Sequence, residues 1–433
     1  MQPRRDDQQA FAPKRRARWG LLFCLVLGFG QLCFVRERRR PVPIKNDTRQ
    51  GPVDKDVRII TSKIKNTQAA GELLDVLDTV VDKPVFNYIH LAAAYTKLGN
   101  LQKKNPLEPK EVQSSVLVRL QQRLQGMLMR KEVGIREMAN ILWAFASLFV
   151  SIRAVLKVVP ELAEQIPGRA GDMKPQELAN SLWAAAQLQH DAPVVLQIAA
   201  TLVVQIQSKA GEMNAQGISN SLWSAAQLQD AAPEVLTTVP ALVAEIHQKA
   251  GDMDPQPLSN IMWAAAKLQD AAPEVQKIVP VLAAQIPLKA GSMIPQALSN
   301  NLWAMKDLAD TSPAVRRAVL ALVQKVQGKI SGMNGQALSN AVEALVFLEE
   351  SFPIPELPAI VQAAAARLNC ILPRASGKGL VFDVPVVVWA CGKSNVYDAG
   401  LFTAVAERFS SGRAVSSLPD WGVCALILGS SFE

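Results

Sequence analysis

Trp143, Trp183, Trp223, Trp263 and Trp303 stand 40 residues apart without a gap, and Glu343 holds the same position one interval later. Long-period self-similarity of this kind arises when each stretch of chain builds the same unit and buries its apolar face against a copy of itself. Written as blocks from Lys131, Gly171, Gly211, Gly251, Gly291 and Ser331, the six units follow a pattern close to G-x-M-x-P-Q-x-L-S-N-x-L-W-A-A-A-x-L, then A-P-x-V and V-P-x-L-V-x-x-I-x-x-K-A. Hydrophobic residues make up 49% of the chain but aromatics only 6%, and alanine is abundant, which suits close-packed helices better than strands. The expected fold is all-α: an α-solenoid, or α/α superhelix, of about 40-residue helical-hairpin repeats.

Each unit carries start and stop signals for two helices. In the block from Gly251, Asp254 can cap helix A, Pro255 stands in its first turn, and Leu258, Met262, Ala265 and Leu268 keep helical spacing. Asp270 to Ala272 break the pattern, and helix B is expected from Pro273 to about Ala290 with Gly291 as its stop. Pro280, like Pro160 and Pro240, falls inside helix B and is expected to kink it or split off its first turns.

Around the six regular repeats of residues 131–370 lie less regular segments. Residues 51–130 read as divergent N-terminal repeat sequence, in which Ile89 to Leu98 echo the helix A core with Ala93 at the tryptophan position. Residues 371–433 read as divergent C-terminal repeats: one unit around Trp389 to Lys393, and one from Trp421 to Phe432 that the chain cuts short.

The formal charge of +8 is unevenly placed. Residues 1–50 hold twelve Lys+Arg against four Asp+Glu and account for the whole excess, whereas residues 51–130 are +4, residues 131–370 are −4 and residues 371–433 are neutral. A pI of about 9.2 therefore describes the N-terminus and not a basic repeat surface. Within residues 1–50 the 17-residue apolar run 19–35 is flanked by Lys14, Arg15, Arg16 and Arg18 and by Arg36, Arg38, Arg39 and Arg40. Its length fits a signal sequence or signal anchor better than a membrane span, and the Arg-rich stretch that follows has transit-peptide composition. The pair resembles the two-part presequence of proteins sent to plastids with extra membranes, Phe34-Val35 resembling its aromatic start. Plastid import is the favoured destination, the mitochondrial matrix the alternative, and membrane contact is expected only through 19–35 if that run is not removed. Cys24 and Cys33 lie in this segment; Cys370, Cys391 and Cys424 match no metal motif and are expected to be buried reduced thiols.

At 100° per residue, helix A places Gln176, Asn180, Trp183 and Gln187 on one stripe, opposite Leu178, Leu182 and Ala185. The stripe recurs as Gln216, Asn220, Trp223 and Gln227, then Gln256, Asn260, Trp263 and Lys267, then Gln296, Asn300, Trp303 and Asp307. Amides can bond base edges and indoles can stack on bases, as in RNA-binding helical repeats. Equally, an asparagine row can bond the backbone of the next unit, and regular tryptophans can serve as packing between hairpins. We assign Trp143, Trp183, Trp223, Trp263 and Trp303 to that structural role. A second row, Arg169, Lys209, Lys249, Lys289 and Lys329, puts one cation at the end of each helix B, where it can meet a phosphate or the negative end of the helix dipole.

Enzyme signals are missing. His90, His190 and His247 form no ligand or nucleophile–base spacing with each other, the cysteines or the carboxylates, and no glycine-rich phosphate loop occurs. His190 is expected in the solvated turn between helices A and B. No catalysis, metal or cofactor is expected.

ELANSLWAAAQL at 177–188, LSNIMWAAAKL at 258–268, ALSNNLWAM at 297–305 and the more divergent WACGKSNVYDAGLF at 389–402 carry a likeness over about 84–433. In these motifs the chain resembles the octotricopeptide-type helical-repeat proteins of algal organelles and the related leucine-rich repeats of FAST-kinase-like and RAP-domain proteins. The resemblance implies binding of single-stranded organellar RNA, alone or with protein partners in a ribonucleoprotein complex, in RNA processing, stability or translation. No RAP domain follows the repeats, so no nuclease-like activity is carried over. The alternative is a protein-binding scaffold of HEAT or armadillo type, which the neutral charge of residues 51–433 favours. The indole positions give the first test. Trp223→Ala should cost about 3–5 kcal/mol in chemical unfolding if the ring is buried between hairpins, and less than about 1 kcal/mol if it stands in solvent.

Overall fold

A computed structural model describes residues 52–308, 313–351, 353–374 and 379–409, with Leu418 and Gly422. The N-terminal segment 1–50 with its apolar run, Cys24, Cys33 and Cys424, and the repeat expected over 421–432 apart from Gly422, lie outside them. Among the described residues there are nineteen α-helices and no strand. They alternate between two rows. The A row is α1 (Pro52–Asn66), α3 (Tyr88–Lys104), α6 (Ile135–Leu148), α8 (Pro175–Leu188), α10 (Ala215–Leu228), α12 (Pro255–Leu268), α14 (Pro295–Leu308), α16 (Gly335–Glu349) and α18 (Val384–Lys393). The B row is α2 (Ala70–Val80), α5 (Ser115–Met129), α7 (Val159–Gln165), α9 (Leu196–Lys209), α11 (Val239–Lys249), α13 (Val279–Lys289), α15 (Pro313–Val326), α17 (Leu357–Ile371) and α19 (Ala399–Phe409), with the single turn α4 (Pro109–Val112) between α3 and α5.

Neighbours in sequence are neighbours in space: from α3 to α16 each A helix packs on its own B helix and on the A helices before and after it. This is the layered order of a solenoid, in which every unit is completed by the next. The core is a continuous seam between the rows, where α8 fully buries Leu178, Leu182 and Ala185, and α9 fully buries Ile198, Leu202 and Ile206. Each of these leucine and isoleucine side chains contributes about 1.5–3 kcal/mol of burial, so the seam outweighs any single polar contact in the unit.

The proline slot of helix B provides an internal comparison. Where it holds Pro160, Pro240 or Pro280, six residues before the α-helix wind as 3-10 turns: Arg153–Val158, Pro233–Thr238 and Pro273–Ile278. Ala200 and Leu320 hold the same slot in other units; there the α-helix starts at Leu196, after a three-residue 3-10 turn, or runs from Pro313 to Val326. Proline lacks the N–H for the preceding carbonyl and its ring presses on that carbonyl, so at this slot the α-helix proper begins with proline in its first turn; Pro287, near the end of α13, is the exception that stays inside a helix.

Two expected terminators act differently. Asp254 occupies the N-cap position of α12, but its side chain makes no capping bond. In sister units Asn214 and Asn334 do cap, accepting from the Gly217 and Ala337 N–H at 2.8 and 2.9 Å. Helix B does not end on a left-handed glycine either. Ala290–Ser292 tighten into a 3-10 turn, the Met293 N–H reaching the Ala290 carbonyl at 3.3 Å. Left-handed residues appear at Lys131 (φ 55°) and Asn395 (φ 50°). Each closes a helix by a bond spanning five residues, Glu132 N–H to Met127 O at 3.0 Å and Val396 N–H to Cys391 O at 2.9 Å.

At the N-terminal end, buried His90 fastens α1 to α3. Its Nδ1 accepts from the Asn87 N–H at 3.0 Å and its Nε2 lies 3.1 Å from the Val57 carbonyl, which together select the neutral Nε2–H tautomer. Burial lowers the pKa, partly opposed by the Val57 bond. The unfolded chain then binds the proton more readily than the folded one, so this contribution is complete above the ordinary histidine range and is lost as pH falls below about 6.5. Hydrogen-exchange protection of α1 and α3 should drop between neutral and mildly acidic pH, and His90→Gln should flatten that dependence; protection unchanged with pH would show that the imidazole is not the fastening.

Candidate nucleic-acid interface

Wedged between one B helix and two A helices, an A helix has a single edge left to solvent. In α8 residues 177–186 and 188 are buried; Gln176 is exposed, Gln187 partly so, and Asn180 and Trp183 lie just beneath the edge at 9% and 6% exposure. These four are the predicted polar stripe, and the same slots form the edge in the following units. Gln216, Trp223 and Gln227 are half-buried, as are Gln256, Asn260, Lys267, Gln296 and Asn300; Asp307 is exposed, and Asn220, Trp263 and Trp303 are buried. The edge extends further than the four units singled out from sequence. Arg136, Asn140 and Ser147 add a rung before them, and Gln336, Asn340 and Phe347 one after. Their register was visible in the 40-residue period; the departures at Arg136, Glu343 and Phe347 hid them.

The asparagines do not bond the neighbouring backbone. Asn180, Asn220 and Asn340 are nine-tenths or more buried, yet among the described residues their amides have no hydrogen-bond partner. None of their amide atoms is sealed from solvent, so the carbon stem is covered and the polar tip faces the open edge. Asn260 accepts from Gln256 of its own helix at 3.0 Å. Asn301, one residue beyond the row and fully buried, donates to the Ala297 carbonyl at 2.8 Å and to Ser259 Oγ at 2.6 Å, while its Oδ1 is buried without a partner among the described residues. A buried amide held at the surface with both functions free is a preorganised donor–acceptor pair.

Beneath the amides the tryptophans form a spine. Trp143–Trp183, Trp223–Trp263 and Trp263–Trp303 stand 6.4, 6.1 and 6.2 Å apart between ring centroids, tilted by 31–34°. Amines occupy its faces: Lys103 lies 4.2 and 4.8 Å from the Trp143 and Trp183 rings, Lys267 4.6 Å from Trp303, and Lys306 5.1 Å from Trp303. Burial draws the Lys103 amine, which has no hydrogen-bond partner, down to a pKa of about 8. Within these three pairs the rings stand too close to admit a base, and the indoles act there as packing, whereas among the described residues no ring contact joins Trp183 to Trp223. Trp223 keeps a part-exposed edge, which sets the expected cost of Trp223→Ala near the low end of the buried range, about 3 kcal/mol.

The cation row is turned inward. Lys209 Nζ donates to the Gly171 and Met173 carbonyls at 2.8 and 2.7 Å, and Lys249 to those of Gly211 and Met213 at 2.9 and 3.0 Å. Lys289 reaches Gly251 O at 3.0 Å, Lys329 reaches Gly291 O at 3.2 Å, and Arg169 reaches Val133 O at 2.8 Å. Arg367, which the sequence reading passed over, donates to Met333 O at 3.1 Å. These carbonyls belong to the turn that ends the preceding helix B and opens helix A, so each cation satisfies the orphan C-terminal groups of its neighbour and not those of its own helix. His190 is exposed in its turn, as expected from its position. Cys391 is buried, with its thiol pushed up to about 12, but Cys370 is exposed, contrary to the expected burial, because it lies on the solvent side of α17. Among the described residues no group of three or more His, Cys, Asp or Glu side chains could hold a metal.

No protein-family model matches the chain, and no curated protein is significantly similar to it. The inward-facing cations yield their own test. Lys209→Met should cost about 1–3 kcal/mol in urea unfolding through two lost charge-assisted bonds; unchanged stability would return these amines to solvent and to phosphate contact.

Proposed function

We propose that this chain binds single-stranded RNA in an organelle, holding an unpaired segment along the open edge of its A helices and so shielding or positioning it in RNA processing, stability or translation. The observation that carries this reading is the set of nine-tenths-buried asparagines whose amides find no partner among the described residues, in register at Asn180, Asn220 and Asn340. Amides of this kind match base edges, which combine donors and acceptors, better than they match phosphates, which only accept. The flanking fourth slot changes from unit to unit, through Ser147, Gln187, Gln227, Lys267 and Asp307, and supplies each rung with a different polar group. The motif resemblance to octotricopeptide-type proteins and the two-part N-terminal segment support an organellar setting, with the plastid favoured.

With the helix B cations engaged by carbonyls and residues 131–370 at −4, few positive charges remain for a phosphate backbone. The complex should therefore rest on hydrogen bonds, with a shallow salt slope of about one or two counterions. The same charge favours a second reading: an amide row also fits the N–H and C=O groups of an extended peptide held by a protein scaffold.

Filter binding of the full chain to a randomised single-stranded RNA pool, across a salt series, separates the two. Asn220→Leu should weaken binding about five- to tenfold, the worth of one hydrogen bond, while leaving unfolding within about 0.5 kcal/mol because no internal bond is lost. Absence of binding at low salt would end the RNA reading and leave the peptide.

A further inference from the structure

The edge changes character at its C-terminal end. Through five units the fourth slot is polar, Ser147, Gln187, Gln227, Lys267 and Asp307; in α16 it is Phe347, which is 44% exposed. The ring leans against half-buried Trp389 of α18, with centroids 5.6 Å apart and planes tilted by 36°. The cause lies one turn earlier. Glu343 stands in the indole slot and pairs with Lys306 at 2.7 Å, and the same amine lies 5.1 Å from the Trp303 ring and 5.5 Å from the Phe347 ring. The aromatic spine thus steps outward by one helical turn to pass the ion pair. Phe347 thus takes the fourth slot on the open edge and keeps it open to solvent like the polar residues it replaces, whereas the indoles at 143, 183, 263 and 303 keep 3–6%.

We propose that Phe347 and Trp389 form a stacking platform for one unpaired nucleobase at the end of the amide row. The proposal rests on the RNA reading above and adds to it a site of different chemistry. Upstream rungs meet the edges of bases through hydrogen bonds, whereas the platform offers a flat π-surface, which accepts any base through its face. Its place in line with Asn340, seven residues earlier on the same helix edge, sets it where a strand lying on the amides leaves the regular repeats. Stacking there anchors the strand end without demanding a particular base, and fixes the register in which preceding bases meet the amides.

The test uses the full chain and an RNA selected by the wild-type protein from the randomised pool. Phe347→Leu keeps apolar volume against Trp389 but removes the aromatic face, and should weaken binding about 5- to 150-fold, the range for base–aromatic stacking; Phe347→Trp should retain it. Abasic substitution at one terminal nucleotide should reproduce the loss in wild type and have no effect in Phe347→Leu. If Phe347→Leu binds within about twofold of wild type while Asn220→Leu is weakened, the platform falls and the amide row stands. If wild type binds no RNA at low salt, both fall.

Discussion

The burial of each A helix on three sides is the constraint from which the other features follow. A 14-residue helix between its own partner and two copies of itself must be apolar or small over most of its circumference, which is why Leu178, Ala179, Leu182, Ala184, Ala185 and Leu188 can all be buried in one short segment. What remains is a strip one residue wide, where the long polar side chains gather, while the polar groups that go inside are mostly small serines, with Asn301 and Glu177 beside them. Because the units stack in register, strips become a line, and any asymmetry of function along the array has to be written in it.

Two populations of cation serve that architecture in opposite ways. The helix B set, from Arg169 to Arg367, closes junctions by satisfying carbonyls that a helix end leaves bare. The A-row set, Lys103, Lys267 and Lys306, lies over the indole spine, where ring faces provide a favourable but weakly hydrated environment. Neither set forms a broad basic face. In this the chain differs from polyanion binders, which draw most of their affinity from counterion release to a broad basic surface.

Much of this was legible from the period. The helix A boundaries, the split caused by proline in helix B and the composition of the stripe all follow from local chemistry repeated at a fixed interval. Other features were not. Lys209 and its equivalents look, in sequence, like cations serving their own helix ends, and only the folding back of helix B brings them to carbonyls 36 and 38 residues earlier. Asp254 has the composition of a cap but makes no capping bond, and Gly291 has that of a left-handed stop, yet the turn tightens as 3-10. Caps and stops are decided by one or two dihedral angles, which residue type biases but does not dictate.

Repetition in the chain dictated the architecture, since identical stretches bury identical faces and have no better partner than each other. It also dictated which side chains share an edge, because that depends only on the angle per residue along a helix. Whether those side chains are satisfied is a different matter. The ion pair of Glu343 with Lys306 and the contact of Phe347 with Trp389 join residues about 40 apart in neighbouring units, and the burial of Asn180 and Asn220 was likewise set when the rows closed and desolvated the seam.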